Sequence, residues 1–415
     1  MQIKLAKKID NARDFMNWIN QFKNRKCFIL NNANYTYEHF INDINNTITY
    51  FKNNHYKTGS YIGLLINGNT YEYIVSLFAI WLIGCIAVPI DEHYCNEIDN
   101  FFNNFKFSLI LYDQNNISLF NKWQNKIKTK DKIDISQISF SKHINIKKNN
   151  YSMKIHGDLP GLVVFSSGTT GSFKITLLAQ KTIFLFVDPN HLICKHQNVW
   201  KKSKKFMAFL PLKRSMTIMW SILWPLMFGW EIHLFPETLI GNTINLIETF
   251  KNTKPQLMFI IPPLLPFLYK ANHEIKFLTA LACGGAWLDP IWIKKFKDDS
   301  VDLCNGLGMV EAQTPFIAMP HIAKIFPGCI GEPITKNIRF KFTNDHELLI
   351  KHNALLLGYI KNGKVKVAVD KNGYFHTNGI AHVIDKNILL WKGRLKHTKL
   401  DQQLIKSWKN YDANM

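Results

Sequence analysis

Residues 166–172 bring hydroxyl groups and glycines together in a pattern that could hold a phosphate group. The segment reads Ser-Ser-Gly-Thr-Thr-Gly-Ser, follows the apolar run 161–165, and is followed by Phe173 and Lys174. Small residues let a backbone approach an oxyanion, hydroxyl and N–H groups donate hydrogen bonds to it, and a lysine adds positive charge. An ordinary Gly/Ser/Thr surface turn is the alternative interpretation. Because strand, glycines, hydroxyls and lysine agree, we favour a phosphate-binding turn after a buried strand.

The spacing excludes two common phosphate-binding motifs. A P-loop that begins at Gly168 would have its second glycine at position 173, where this chain has Phe173. It would have a Ser or Thr at position 175, where this chain has Ile175. A dinucleotide-binding fingerprint opens with Gly-x-Gly, which Gly168 and Gly171 do not supply. The turn therefore belongs to a different class of phosphate-binding segment.

The segment resembles the signature loop of the adenylate-forming enzymes, the family of acyl-CoA synthetases, luciferases and peptide-synthetase adenylation domains. Their loop reads Ser-Ser/Gly-Gly-Thr-Thr-Gly-x-Pro-Lys, and this chain departs from it only at Phe173, where the family has proline. The resemblance covers about residues 25–400. Further blocks similar to the family's occur in the family's order at 69–91, 210–212, 262–264, 284–286, 307–311, 328–333, 347–350, 373–377 and 393–396.

The resemblance implies a reaction and its cofactors. Enzymes of this family join a carboxylate to AMP and release pyrophosphate, using ATP and Mg²⁺, so the protein must align the reactants and offset growing negative charge. The catalytic roles fall on Thr170, Lys174 and Glu311, of which Glu311 matches the magnesium ligand. The nucleotide-binding roles fall on Ser166, Ser167, Gly168, Thr169, Thr170, Gly171, Lys174, Gly284, Gly285, Ala286, Leu307, Asn378 and Arg394.

Three departures from the family pattern affect these roles. Leu307 stands where the family has an adenine-stacking tyrosine, so the aromatic face is missing. The Thr-Gly-Asp block reads Thr-Asn-Gly at 377–379, so the carboxylate that accepts the ribose hydroxyls is missing; Asn378 could substitute through its amide oxygen. The chain also ends soon after Arg394, which implies that the family's small C-terminal lid domain is absent.

Two hypotheses remain open. The first is an ATP-dependent ligase that forms an acyl-adenylate, similar to acyl-CoA or acyl-carrier-protein synthetases, with a lid domain supplied by a separate protein where one is needed. The alternative is a catalytically impaired family member that acts as a nucleotide- or acyl-binding or assembly protein. The nearly complete loop favours the enzyme, whereas the missing lid and aspartate favour the alternative.

Alternating strand-like and helix-like patterns predict an α/β fold. The resemblance implies two αβ-layered subdomains plus a distorted β-barrel. We predict an AMP-binding large domain over 1–395, divided approximately into 1–160, 161–325 and a β-rich section 326–395, with a truncated hinge and tail at 396–415. The apolar stretch 74–90 predicts a buried helix followed by a buried strand, because Gly84 and Pro89 divide it. The polar stretch 113–152 is predicted to form surface loops.

Composition limits the compartment and the partners. The N-terminus lacks an uninterrupted apolar segment, which argues against a secretory signal, and the 7 cysteines occur singly, as reduced thiols of a cytoplasmic protein do. The net charge is +21, but the lysines are spread along the chain instead of forming one arm. That distribution argues against nucleic acid and favours an acidic acyl carrier protein, or the phosphates of CoA, as partner.

The acid substrate is only partly indicated. Relatives that activate amino acids place an aspartate near 210–213, where this chain is basic, so an α-amino acid is disfavoured. Trp220, Trp224 and Trp287 could line a pocket for a fatty or aryl acid, although core packing is the commoner fate of tryptophan. Arg214 could pair with a second acidic group of the substrate or face solvent.

Overall fold

The computed structural model describes residues 8–30, 33–91, 98–127, 129, 131–138, 155–167, 173–196, 198, 200 and 204–395. The helices in chain order are α1 (Ala12–Ile19), α2 (Tyr37–Asn53), α3 (Tyr71–Leu82), α4 (Ile98–Asn103), α5 (Ile117–Trp123), α6 (Gln180–Phe184), α7 (Leu192–Lys195), α8 (Ser215–Ile218), α9 (Trp224–Met227), α10 (Thr243–Thr253), α11 (Leu265–Ile275), α12 (Pro290–Asp298) and α13 (Pro320–Ile325). A π-helical segment, Met219–Leu223, joins α8 to α9.

Among the described residues, the strands are on average shorter than the helices, and there are more of them. They are β1 (Lys26–Leu30), β2 (Ala33–Thr36), β3 (Tyr61–Leu65), β4 (Ile86–Pro89), β5 (Phe107–Tyr112), β6 (Asp131–Asp134), β7 (Pro160–Ser167), β8 (Phe173–Ala179), β9 (Lys205–Ala208), β10 (Glu231–Leu234), β11 (Leu257–Ile260), β12 (Ala280–Cys283), β13 (Asp302–Met309), β14 (Gln313–Ala318), β15 (Glu332–Pro333), β16 (Arg339–Phe342), β17 (Glu347–Lys351), β18 (Gly358–Lys361), β19 (Lys364–Lys366), β20 (Phe375–Asp385) and β21 (Ile388–Arg394).

The chain forms two compact units, each assembled from several segments. Unit one contains Met1–Pro189, Lys204–Leu246 and Leu356–Val367, and unit two contains Asn190–Ser203, Ile247–Leu355 and Ala368–Met415. The division into contiguous sections at residues 160 and 325 stays a prediction. In the structure, β7 and β8 pair into the same sheet as β3 to β6.

Unit one contains an eight-stranded mixed sheet in the order β19-β18-β8-β7-β4-β3-β5-β6. The strands β6, β5, β3, β4 and β7 run parallel, whereas β7, β8, β18 and β19 pair antiparallel. A second group of unit-one strands is ordered β9-β10-β1-β2. Parallel strands are covered on both faces, which explains why β3, β4 and β5 are almost continuously apolar.

The apolar stretch 74–90 forms a buried helix and a buried strand, as the sequence predicts. The side chain of Thr70 caps α3 by accepting a hydrogen bond from the Tyr73 N–H at 3.3 Å, and every residue of α3 except Glu72 is buried. Gly84 then takes a left-handed φ of +74°, which turns the chain into β4. In the described part of the chain, none of the helices is both long and apolar enough to cross a bilayer.

The prediction of surface loops for 113–152 is wrong in its first half. Helix α5 and strand β6 lie there, and β6 pairs in parallel with β5. Phe120 and Trp123 of α5 are buried in the same apolar cluster as Phe165 of β7. Tertiary burial of two aromatic side chains thus overrides a locally polar composition. Residues 139–152 lie outside the described residues.

Unit two contains two groups of strands. Five are ordered β15-β14-β13-β12-β11, with β11, β12 and β13 parallel, and helices α11 and α12 connect them. The other group is a four-stranded antiparallel sheet in the order β16-β17-β20-β21. This sheet lies within the section that the sequence predicts to be β-rich.

Trp81 offers a test of the packing of α3 on β7. Its side chain is fully buried, and its Nε1 donates to the Gly161 carbonyl at 2.9 Å. Trp81→Phe removes this hydrogen bond and leaves a cavity, so we expect a loss of about 2 kcal/mol or more in the free energy of unfolding. Urea unfolding followed by circular dichroism measures it. Tyr50→Phe, at a half-buried position on α2, is the control; equal effects of the two substitutions would contradict the assignment.

Candidate active site

The predicted phosphate-binding turn connects two antiparallel strands of unit one. β7 ends at Ser167 and β8 begins at Phe173, and the two strands are in register from Pro160↔Ala179 to Ser167↔Phe173. Gly168, Thr169, Thr170 and Gly171 lie outside the described residues, and the side chain of Ser167 is not described either. The structure therefore describes the strands that flank the turn.

Strand register decides which side chains flank the turn on each face. Ser166 is paired with Lys174, so the two lie on the same face of the sheet. Phe173 and Ile175 lie on the opposite face and pack against the cluster that contains Val163. Phe173, which replaces the family's proline, thus packs against the apolar core, whereas Ser166 and Lys174 lie on the opposite face of the sheet.

Lys174 is half-buried beside an aromatic ring. Its Nζ lies 5.3 Å from the ring centroid of Tyr359, on β18, the next strand of the sheet. A cation over an aromatic face is stabilised by the ring quadrupole, which restricts the ammonium group without neutralising its charge. Lys174 therefore stays available as a positive charge at the start of β8.

A second cation lies near the carboxyl end of β7. Arg214 is exposed, and its Nη1 donates to the Phe165 carbonyl at 3.4 Å. The segment that precedes Arg214 is held by Asn69, whose Oδ1 accepts from the Leu212 N–H at 3.0 Å and whose Nδ2 donates to the Leu210 carbonyl at 3.2 Å. One buried amide thus joins the family-like blocks 69–91 and 210–212.

Of the three tryptophans proposed for an acyl pocket, two are buried in the core and Trp287 is half-buried in unit two. Trp220 and Trp224 are buried, with ring centroids 5.0 Å apart and edge-to-face. Phe186 also contacts Trp220, at 4.3 Å between centroids. These two tryptophans therefore pack in the core of unit one, as tryptophan side chains more commonly do.

Unit two contains a pocket of about 170 Å³. It lies where β12, β13 and β21 end, and its only charged lining residue in the described part of the chain is Arg394. It is lined by Gly285, Ala286, Trp287, Leu288, Asn305, Gly306, Leu307, Gly308, Gly328, Ile330, Trp391 and Arg394. Four of the residues that the resemblance assigns to nucleotide binding therefore come together here: Gly285, Ala286, Leu307 and Arg394.

Two residues of unit two that the resemblance assigns to nucleotide binding do not line the pocket. Gly284 is buried at the end of β12, where an added Cβ would make only ordinary contacts, at 3.6 Å from the Phe259 ring. Asn378 is exposed, with a left-handed φ of 54°, and its N–H donates to Glu347 Oε1 at 2.8 Å. The proposed substitution of Asn378 for the missing carboxylate gains no support from this geometry.

Arg394 is anchored by its neighbours on the sheet. Its Nη1 donates to the Thr377 carbonyl at 3.3 Å, and the Leu395 N–H donates to the Asn378 carbonyl at 3.0 Å. The guanidinium carbon lies 5.9 Å from the Trp391 ring centroid. These contacts hold a positive group and an indole side by side in the pocket wall.

Glu311 lies in the turn between β13 and β14 and is half-buried. Gln313, with a φ of 59°, closes this turn by donating from Nε2 to the Val310 carbonyl at 2.8 Å. Among the described residues, no cluster of three or more His, Cys, Asp or Glu side chains could hold a metal ion. A single carboxylate fits an Mg²⁺ ion that takes most of its ligands from phosphates and water.

The cysteines beside the pocket offer no nucleophile. Cys283 and Cys304 are buried in β12 and β13, and burial raises the pKa of both thiols above its usual value. Proximity of Cys304 adds to the shift in the pKa of Cys283. Both side chains therefore stay protonated at neutral pH, which leaves them packing roles.

Sequence reasoning did not identify Trp391, Asn305 or Ile330 as pocket residues, nor Tyr359 as the neighbour of Lys174. Trp391 stands three positions before Arg394, a spacing that regular strand alternation would place on the opposite face. The position of Tyr359 follows from long-range pairing of β18 with β8. Neither fact has a local signal in the sequence.

Comparison with known proteins supplies the family. Residues 15–360 match the model of the family described as AMP-binding enzyme. A 2-succinylbenzoate–CoA ligase from Staphylococcus epidermidis is 26% identical over 390 residues, which cover 90% of this chain and 75% of that protein.

Solved structures share the fold. The crystal structure of the anthranilate CoA ligase AuaEII in complex with anthranoyl-AMP superposes with a TM-score of 0.76 at 18% identity, covering 94% of this chain and 78% of that one. The N-terminal domain of FACL13 from Mycobacterium tuberculosis gives a TM-score of 0.74 at 16% identity, covering 93% of this chain and 100% of that one.

The resemblance predicted from the signature loop is thereby confirmed. The layered α/β fold is confirmed as well, and so is the class of enzyme, an AMP-forming ligase. The family match includes the strands β7 and β8, the turn at Glu311 and most of the pocket-lining residues. The chain belongs to the AMP-binding enzyme family.

Proposed function

We propose that this chain activates an aryl or acyl carboxylic acid with ATP as an acyl-adenylate and transfers the acyl group to CoA. The observation that carries the proposal is the pocket of unit two, which Gly285, Ala286 and Arg394 line together in a chain of the AMP-binding enzyme family. The names of relatives support the second step, since the 2-succinylbenzoate and anthranilate enzymes are CoA ligases.

The proposed reaction takes place in two steps, and the bonds formed and broken balance in each. A carboxylate oxygen attacks the α-phosphorus of ATP, the bond to the β-phosphate oxygen breaks, and pyrophosphate leaves. The thiol sulfur of CoA then attacks the acyl carbonyl carbon, AMP leaves with the bonding electron pair, and the thiol proton passes to solvent. Positioning and charge stabilisation are the protein's contribution, because the phosphoryl transfer itself needs little covalent help.

The residues of unit one would contribute charge and hydrogen bonds to the phosphates. Lys174 and Ser166 share a face at the end of the β7–β8 pair, and the proposed phosphate ligands Ser167, Gly168, Thr169, Thr170 and Gly171 continue that segment. In unit two, Gly285, Ala286 and Leu307 would contact adenine, and Arg394 the ribose. Gly284, buried at the end of β12, would support the backbone of Gly285 and Ala286. Glu311 would hold Mg²⁺, which offsets negative charge on phosphate oxygens when bound.

The acid is proposed to carry a second anionic group. Arg214 is exposed, directly follows the block 210–213, and contacts the carboxyl end of β7. A guanidinium pairs with a carboxylate in a bidentate geometry that a solvated lysine does not match. The name 2-succinylbenzoate, carried by a relative, describes an aryl acid with two carboxyl groups.

Pyrophosphate release with a panel of acids, each with and without CoA, tests the overall proposal. We expect release with an aryl diacid and conversion to a thioester when CoA is present. ATP binding without release for any acid, whether or not a lid-domain protein is added, would favour the alternative of a nucleotide- or acyl-binding protein. Absence of both binding and release would contradict the proposal.

Lys174→Ala tests the phosphate-binding segment. Loss of one charge-assisted contact to a phosphate costs about 1.5–3 kcal/mol, so we expect ATP to bind about ten- to a hundredfold more weakly. Isothermal titration calorimetry measures the affinity. Lys132→Ala is a matched control, because the Lys132 Nζ also lies over an aromatic ring of unit one, 5.9 Å from Phe120. Equal effects of the two substitutions would show that Lys174 does not contact the phosphates.

Glu311→Gln tests the magnesium role. The substitution keeps size and removes the charge that a hard cation prefers, so we expect the half-saturating Mg²⁺ concentration to rise about tenfold. Pyrophosphate release titrated with MgCl₂ gives this value. Glu248→Gln, at an exposed position on α10, should leave it unchanged. An unchanged Mg²⁺ dependence in Glu311→Gln would refute the assignment.

Arg214→Ala tests the substrate class. We expect kcat/KM for 2-succinylbenzoate to fall about tenfold or more, since one charged pair is lost, while kcat/KM for benzoate changes little. The monoacid is the internal control, because both acids present the same reacting carboxylate type. A parallel fall for both acids would mean that Arg214 does not recognise a second anionic group.

A further inference from the structure

We propose that Trp391 occupies the place of the ribose-binding carboxylate in the nucleotide pocket, so that the sugar is held by contact with an indole face. This inference rests on the assignment of the unit-two pocket to the nucleotide. It concerns the specificity of the nucleotide site for the sugar, because a site without that carboxylate cannot distinguish strongly between ribose and deoxyribose. The argument depends on strand register, on the space around Gly379 and on the charges that line the pocket.

An irregularity between β20 and β21 aims Trp391 into the pocket. Gly379 is paired with Arg394, Ile380 with Gly393, and Ala381 with Trp391, so Lys392 is an extra residue on β21. Because paired residues share a face, Trp391 and Arg394 lie on the same face although they are three positions apart. A β-bulge of this kind redirects a side chain, here the indole, beside the guanidinium.

The indole fills the space that a side chain at position 379 would need. A Cβ built on Gly379 would lie 1.7 Å from Cη2 of Trp391 and 2.5 Å from Cζ2 and Cζ3. Gly379 does not have a left-handed φ, so its backbone would accept an ordinary L-residue. The glycine is therefore required by the indole and not by the backbone. Position 379 is the place of the family's aspartate in the Thr-Gly-Asp block.

Among the residues that the structure describes, no neighbouring carboxylate takes over the role. The described lining residues include one cation, Arg394, and no Asp or Glu. Glu347 approaches this turn, but it is buried and both its oxygens are engaged. Oε1 accepts from the Asn378 N–H at 2.8 Å, and Oε2 lies 3.1 Å from His376 Nδ1. The sugar would therefore meet the apolar indole in place of a hydrogen-bonding carboxylate.

The expected consequence is a nucleotide site that is nearly indifferent to the 2′-hydroxyl. A hydrogen bond to a charged acceptor contributes roughly ten- to a hundredfold in affinity, and its absence removes that part of the discrimination. Contact of a sugar or base with an aromatic face contributes affinity without reading hydroxyl groups. Arg394 is present both in the unaltered chain and in variants at positions 391 and 379, so its contribution to nucleotide affinity is the same in each.

Calorimetry with AMP and 2′-deoxy-AMP tests the inference on the full-length chain. The two nucleotides should bind within about threefold of each other, because no carboxylate reads the sugar. The double variant Trp391→Val with Gly379→Asp should prefer AMP by about tenfold or more, since the new carboxylate has both the space and an allowed backbone. Trp391→Phe, which keeps an aromatic face, should retain the lack of preference. Circular dichroism of each variant monitors folding.

Three results would overturn the inference. One is a preference for AMP of tenfold or more in the unaltered chain. Another is a folded double variant that still binds both nucleotides alike. In these two cases the nucleotide site itself stands. The third result, no AMP binding by the unaltered chain, would instead remove the nucleotide assignment and this inference with it.

Discussion

The antiparallel pairing of β7 with β8 is the constraint on which the proposed phosphate-binding segment depends. Register places Ser166 and Lys174 on one face, and Phe173 with Ile175 on the other, against the apolar core of unit one. A shift of the register by one residue would exchange the two faces, burying an ammonium group and exposing a phenylalanine. The free energy of burying Phe173 therefore also determines where the Lys174 charge lies.

The alternation of side chains between the two faces of a strand also organises the pocket of unit two, with one exception on β21. Regular alternation along β21 would separate Trp391 from Arg394, and the extra residue Lys392 brings them to one face. Gly379 on the paired strand leaves the space that the indole fills. Bulge, glycine and tryptophan are thus three parts of one arrangement. A change in any one of them alters the lining of the pocket.

Much of the fold was predictable because its signals are local or are carried by motifs. The division of the apolar stretch 74–90 at Gly84 correctly separates α3 from β4. Helix α5 escaped prediction because its two buried aromatics gain their stability from contacts distant in sequence. The site was predictable to the same extent. Arg394 and Gly285 are found by motif, whereas the contact of Arg214 with Phe165 and the position of Trp391 depend on chain pairing.

The departures from the family motifs therefore have different structural consequences, which depend on the face of the sheet on which each one lies. Phe173 replaces a proline and packs against the apolar core, on the face opposite Ser166 and Lys174. Gly379 replaces an aspartate on the strand paired with β21, and the space that a side chain would need there holds the Trp391 indole, which lines the pocket. A site that gives up a charge-assisted contact to the sugar must draw nucleotide affinity from elsewhere. Under the proposed assignment, that affinity would come from contact of the sugar with the Trp391 indole, which salt does not weaken as it weakens a contact between charges.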